Sequence, residues 1–210
     1  MSPSEKASSI IQLLTDHGSS DYIGEPITQL AHSLQCAQLA STHTHDRDTI
    51  LAALLHDIGH FLPAPDVRAL AGEIRHMLAN GADAVGDASS VGRVGHETIG
   101  AQYLARVGFS PKVSALVGSH VAAKRYLCAV EPGYWGSLSE ASKRSLEFQG
   151  GPMGGEELAE WRGGEWVEEM CSLRKWDDGA KVVGLKVEGL EAYKGMMEEH
   201  LEHQHVGRVA

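Results

Sequence analysis

Apolar residues recur along most of this chain at the three-to-four-residue spacing of helices, and runs with the alternation of strands are nearly absent. After a polar start, Ile10, Ile11, Leu13 and Leu14 mark a short amphipathic helix. Pro26, a residue suited to a first helical turn, predicts a second helix running through His32, Leu34 and Leu39. Asp46 or Asp48 can cap a third over 49–58, with Gly59 closing it. Its near-continuous Ile50-Leu51-Ala52-Ala53-Leu54-Leu55 predicts burial on most sides. Residues 63–95 are rich in Ala, Gly and Asp and read as an inserted loop or lid, within which 67–78 can be helical. Further helices are predicted over 97–106, 111–126, 139–148, 156–175 (interrupted at Gly163-Gly164) and 190–203. The fold class is therefore all-α. It reads as one helical bundle, with a tail and first helix over 1–20, the core over 21–180, and a last helix and tail over 181–210.

Composition narrows the partners. A chain of 210 residues with 42% hydrophobic positions can bury a single core. A net charge of -10 argues against nucleic acid as the partner, so an anionic ligand needs a local cationic pocket or a metal. No stretch approaches the roughly 20 apolar residues that span a membrane. The polar start lacks the apolar segment of a signal peptide, which points to a cytoplasmic protein, monomeric or a small homo-oligomer. Cys36, Cys128 and Cys171 lack metal-type spacing and read as reduced structural thiols.

The chemistry concentrates in Leu54-Leu55-His56-Asp57-Ile58-Gly59-His60. A carboxylate beside an imidazole at the end of so apolar a helix is costly unless a bound cation offsets the desolvation. Adjacent helical residues point about 100° apart, so both can reach one metal while the aspartate also turns to a second. More ligands stand on separate helices: His32, His96 after a glycine, His120, and Asp177 after Leu173-Arg174-Lys175-Trp176. Imidazole and carboxylate donors without thiolate suit iron, manganese or zinc alike. The remaining histidines, His17, His43, His45, His76, His200, His203 and His205, fall in polar or terminal settings and read as solvated.

The order His32, His56-Asp57, His96, His120, Asp177 resembles the HD-domain superfamily, and in particular its branch with six protein ligands and two metals. Whole blocks resemble the mixed-valence diiron oxygenases that cleave 2-amino-1-hydroxyethylphosphonate to glycine and phosphate. These blocks include Asp21-Tyr22-Ile23-Gly24-Glu25, Gln29 to Ala37, Leu51 to His60, Gly118 to Leu127, Leu146 to Met153 and Arg174 to Asp177. The resemblance implies two iron ions, Fe(II) and Fe(III), with O2 as co-substrate and a small organophosphonate as substrate. It puts His32, His56, Asp57 and Asp177 on one iron, His96 and His120 on the other, and Asp57 between them. It makes Tyr22 the residue that fills a coordination position until substrate arrives, and Glu25 its partner that senses the substrate amine. His60, Lys124, Ser142 and Arg174 match positions around the phosphonate, and Gln149 joins them. Lysine and arginine there supply charge-assisted hydrogen bonds to a dianion. Between Asp57 and His96 the chain is longer than the family pattern, so a lid over 63–95 leaves the amine open, free or methylated.

Two other classes compete. One is an HD-type metal-dependent phosphohydrolase acting on a nucleotide or phosphate ester, in which a metal-activated water attacks phosphorus. The other is a non-catalytic module that binds a ligand and regulates a partner. The Tyr22–Glu25 block and the His96/His120 pair favour the oxygenase over the first. The complete ligand set disfavours the second.

Overall fold

The computed structural model describes residues 1–22, 24–77, 87–88, 92–93 and 95–209. Helices dominate, as the periodicity predicts. The first, α1 (Pro3–His17), starts well before the apolar residues that announce it. The Ser2 hydroxyl accepts from the Glu5 amide and the Glu5 carboxylate accepts from the Ser2 amide, a capping box that draws the polar start into the helix. Pro3 fits its first turn, and Ala7, Ile10 and Leu14 form the buried face. Helix α2 (Gln29–His43) begins after Pro26, because Thr28 caps it by accepting from the Ala31 amide at 3.1 Å.

Helix α3 (Arg47–Leu55) is buried from Thr49 onward, and packs against α2, α7 (Pro111–Val130), α11 (Val167–Gly179) and α12 (Glu191–Val209). It stops short of residue 58: Asp57 leaves helical geometry at φ -98°, ψ 11°, and a short α4 (Ile58–Phe61) follows. Gly59 is therefore no terminator. A Cβ there would lie 2.0 Å from the His96 carbonyl oxygen, so the glycine permits α4 to meet α6 (His96–Val107) backbone to backbone.

Part of the expected insertion is helical, as α5 (Ala64–Met77). A two-residue antiparallel pair, β1 (Asp87–Ala88) with β2 (Gly92–Arg93), is the one ladder among the described residues. Residues 78–86, 89–91 and 94 of the proposed lid lie outside them. Helices α8 (Tyr134–Ser137), α9 (Glu140–Phe148) and α10 (Gly155–Arg162) complete the order, with the break between α10 and α11 at the Gly163-Gly164 pair. Among the described residues no helix is long and apolar enough to cross a membrane.

One histidine read as solvated is core. His200 on α12 is 6% exposed. Its Nε2 accepts from the Ser110 amide at 3.0 Å and its Nδ1 lies 3.0 Å from Asp48 Oδ1, which ties α12 to the starts of α3 and α7.

Candidate metal centre

His32 enters from α2, His56 and Asp57 from the α3–α4 break, and Asp177 from the last turn of α11; all four are buried. Their donor atoms converge. His32 Nε2 lies 3.1 Å from His56 Nε2 and 3.2 Å from Asp177 Oδ1, and His56 Nε2 lies 3.3 Å from Asp57 Oδ2. The wider spans are 3.8 Å for His32 to Asp57 and 4.0 Å for His56 to Asp177.

A second group faces the other oxygen of the same aspartate. His96 Nε2 and His120 Nε2 lie 3.4 and 3.7 Å from Asp57 Oδ1, and 3.0 Å from each other. His96 starts α6 and His120 sits in the middle of α7, the two helices brought together by small residues at their crossing, where Gly118 meets Ala101. Asp57 thus stands between two clusters.

The hydrogen-bond roles test whether metals fit. His32 Nδ1 lies 2.8 Å from the Ala180 carbonyl, His56 Nδ1 2.9 Å from that of Ala53, and His120 Nδ1 2.8 Å from that of Val117. A carbonyl only accepts, so each Nδ1 carries the proton and each neutral ring turns an Nε2 lone pair into the cluster. Two lone pairs 3.1 Å apart repel unless a cation lies between them. Bonds of about 2.1 Å put tetrahedral neighbours ~3.4 Å apart throughout, whereas an octahedron gives ~3.0 Å for adjacent ligands and ~4.2 Å for opposite ones. The contacts of 3.1 to 3.3 Å lie in the range expected between adjacent ligands of one ion, and the site suits a metal.

Charge agrees with this. Burial works against ionisation of Asp57 and Asp177, but His56 and Arg174 respectively hold them well below the usual carboxylate range. Burial also opposes a charge on His56, yet the Asp57 carboxylate beside it favours a positive charge there, as it would favour a cation at the site. Burial and then His96 push His120 well down, leaving its Nε2 free to ligate.

A cavity of about 170 Å³ opens onto this cluster, and every other residue singled out by the resemblance lines it: Tyr22, Glu25, His60, Lys124, Ser142, Gln149 and Arg174. The Tyr22 ring stacks on His32 at 3.9 Å, and its hydroxyl donates to Asp177 Oδ1 at 3.4 Å. His60 stacks on His96 at 4.1 Å and lies close enough to Asp57 and His96 to share a metal with them. Lys124 is 2% exposed and, among the described residues, donates only to neutral oxygens, the Ser145 hydroxyl at 2.7 Å and the Ser142 carbonyl at 3.4 Å. Burial, with Arg174 beside it, lowers its pKa to about 7.

Arg174 is less free than an anion receptor needs to be. It pairs with Asp177 at 2.7 Å and forks onto Asp178, which also accepts from Tyr134. It therefore orients Asp177 as well as lining the cavity. Sequence reasoning missed Lys181, whose ammonium donates to Ser142 Oγ at 3.1 Å inside the same cavity. It also missed Asp178, although the adjacent Asp177-Asp178 pair was visible.

Comparison with known proteins agrees with the geometry. The HD domain family matches residues 30–147. The chain is 44% identical to the hydroxymethylphosphonate dioxygenase of Gimesia maris, over 96% of this chain and 90% of that protein. It is 34% identical to the [1-hydroxy-2-(trimethylamino)ethyl]phosphonate dioxygenase (glycine-betaine-forming) of Leisingera caerulea, over 90% of this chain and 87% of that one. An uncharacterized protein of Acanthamoeba polyphaga mimivirus is 36% identical, over 94% and 82%. With its six donors in the order and grouping described above, the chain belongs to the HD-domain family, in the branch formed by its oxygenases.

Proposed function

We propose that this protein is a mixed-valence diiron oxygenase that uses O2 to cleave the carbon–phosphorus bond of a small 1-hydroxyphosphonate. The 1-hydroxy-2-aminoethylphosphonate type would give glycine, or an N-methylated glycine such as glycine betaine, and phosphate. Hydroxymethylphosphonate, the compound in the name of the Gimesia relative, is the amine-free member of the class. One observation carries the reading: the two oxygens of Asp57 face separate histidine groups, and the cavity they share holds a buried lysine to which, among the described residues, no carboxylate is bonded.

His32, His56, Asp57 and Asp177 would hold one iron, and His96 and His120 the other, with Asp57 shared. When bound, the pair supplies oxygen activation and removal of hydrogen from the carbon that bears the hydroxyl. The protein's own groups do the rest. Lys124 offers an ammonium with unspent donors to a phosphonate, and Ser142, His60, Gln149 and Arg174 surround the same space. Tyr22, held on Asp177 and stacked on His32, covers the first group until substrate displaces it. Glu25 is joined to Tyr22 through its amide, which donates to the Tyr22 carbonyl at 2.9 Å, and its carboxylate is placed to receive a substrate amine.

The carbon bearing the hydroxyl rises to the carboxylate level, so substrate supplies all four electrons that reduce O2 and no external reductant is consumed. Phosphate release from a 1-hydroxyphosphonate in a sealed anaerobic cell tests this. The expected result is no release without O2 and one O2 consumed per phosphate with it. Release at the aerobic rate would make the protein a phosphohydrolase.

A further inference from the structure

Lys181 stands in an irregular segment, yet its position is tightly set. The residues on either side of it are anchored to α2. His32 Nδ1 meets the Ala180 carbonyl at 2.8 Å, and Gln35 both donates to the Val182 carbonyl at 2.8 Å and accepts from its amide at 2.9 Å. Clamped between these anchors, the side chain enters the cavity, where its ammonium donates to Ser142 Oγ and lies 3.6 Å from Glu25 Oε1. It also lies 5.8 Å from the centre of the Tyr22 ring.

Two features make this contact exchangeable. Glu25 Oε1 is buried and, among the described residues, has no hydrogen-bond partner. At 3.6 Å the ammonium attracts it by charge but is too far to donate to it, so the carboxylate is only half satisfied. Lys124 and Lys181 also converge on a single residue, one on the Ser142 carbonyl and the other on its hydroxyl. Two cationic side chains meeting at one residue repel, and Lys181 is among the charges that, after burial and Arg174, lower the pKa of Lys124. A dianion bound at Ser142 would relieve both strains.

We propose that Lys181 is a further cation of the anion site, paired with Glu25 at rest and transferred to the phosphonate when substrate binds. Filling the site then strips Glu25 of its counter-charge and frees the turn that keeps Tyr22 on His32. The inference rests on the anion site of the proposed function and adds to it a residue and a coupling.

Inorganic phosphate titrated calorimetrically into the iron-loaded protein without O2 tests the exchange with no turnover involved. Lys181→Met should weaken phosphate binding about tenfold, the loss of one charge-assisted hydrogen bond, and Lys181→Arg should recover most of it. Glu25→Gln should instead tighten binding severalfold, because Lys181 no longer has to leave a carboxylate. A damaged fold does not produce a gain in affinity. In the double variant Lys181→Met/Glu25→Gln that gain should vanish. Unchanged affinity in Lys181→Met, no gain in Glu25→Gln, or a gain that survives without Lys181 would each overturn the proposal. If this pattern appears but no 1-hydroxyphosphonate supports O2 uptake, the oxygenase reading fails and the cation exchange stands.

Discussion

Replacing Lys124 by methionine should stabilise the protein and cripple its anion binding at once. Lys124 is 2% exposed, and its pKa falls from an ordinary 10.5 to about 7. The unfolded chain therefore binds more protons than the folded one between those values, and wild-type stability rises with pH across that window. Near pH 7 the cost of keeping this lysine buried is roughly 4 kcal/mol. Methionine removes that cost but also the hydrogen bonds to Ser145 and Ser142, worth about 1 kcal/mol each. The net gain is then about 2 kcal/mol, a rise in melting temperature of roughly 4–8 °C for a chain of this size. At pH 9.5 wild type has recovered about 3 kcal/mol of the penalty, so the advantage disappears. Phosphate or phosphonate affinity should fall about tenfold to a hundredfold. Thermal melts of both proteins at pH 7 and 9.5, with titration of phosphate, measure all three quantities. A variant less stable than wild type at pH 7, or an advantage that does not change with pH, would refute the argument.

His120→Ala should lose one metal equivalent and nearly all turnover while the first group keeps its ion, as metal analysis of the purified variant would reveal. Gly59→Ala forces a methyl to within 2.0 Å of the His96 carbonyl oxygen; iron content should drop from two toward one with helicity by circular dichroism preserved. His200→Ala leaves the Ser110 amide without its acceptor and takes from Asp48 one of its two partners, the Ser110 hydroxyl being the other, at a cost of about 2–4 kcal/mol. Its melting temperature should fall by roughly 5–15 °C with turnover at 25 °C unchanged, since His200 is remote from the cavity lining.

The converging histidines and aspartates were legible because each sits in a setting its chemistry does not otherwise justify: an imidazole amid apolar helical residues, a carboxylate ending a buried run. Helix periodicity located α3, α6, α7 and the α10–α11 break for the same reason, since one face of each is core. The start of α1 was also legible, in the Ser2-Pro3-Ser4-Glu5 pattern of a capping box, but a count of apolar residues passes over it. Gly59 was misread as a terminator because its reason is a neighbour 37 residues away, the His96 backbone. His200 and Lys181 share that difficulty. One is buried by contact with Ser110 and Asp48, the other aimed by anchors to His32 and Gln35, and neither lies in a local pattern that announces it.

The break after α3 explains why four consecutive residues do so much. Had the helix continued through Asp57, its carboxylate would follow the helical surface about 100° from His56, with no neighbouring backbone near enough to supply the second pair of histidines. Instead the chain turns at Asp57, and Ile58 enters the core, fully buried. Gly59 then lets α4 approach α6 closely enough for His96 to reach the free oxygen of Asp57. His56 stays with His32 and Asp177 on the first side, its ring fixed by the Ala53 carbonyl one turn earlier. Each residue of His56-Asp57-Ile58-Gly59 thus solves a different part of one problem, which is to bring two groups of donors to a single carboxylate inside an apolar bundle. The two groups are coupled, because a charge gained on either side of Asp57 is felt by the oxygen that faces the other.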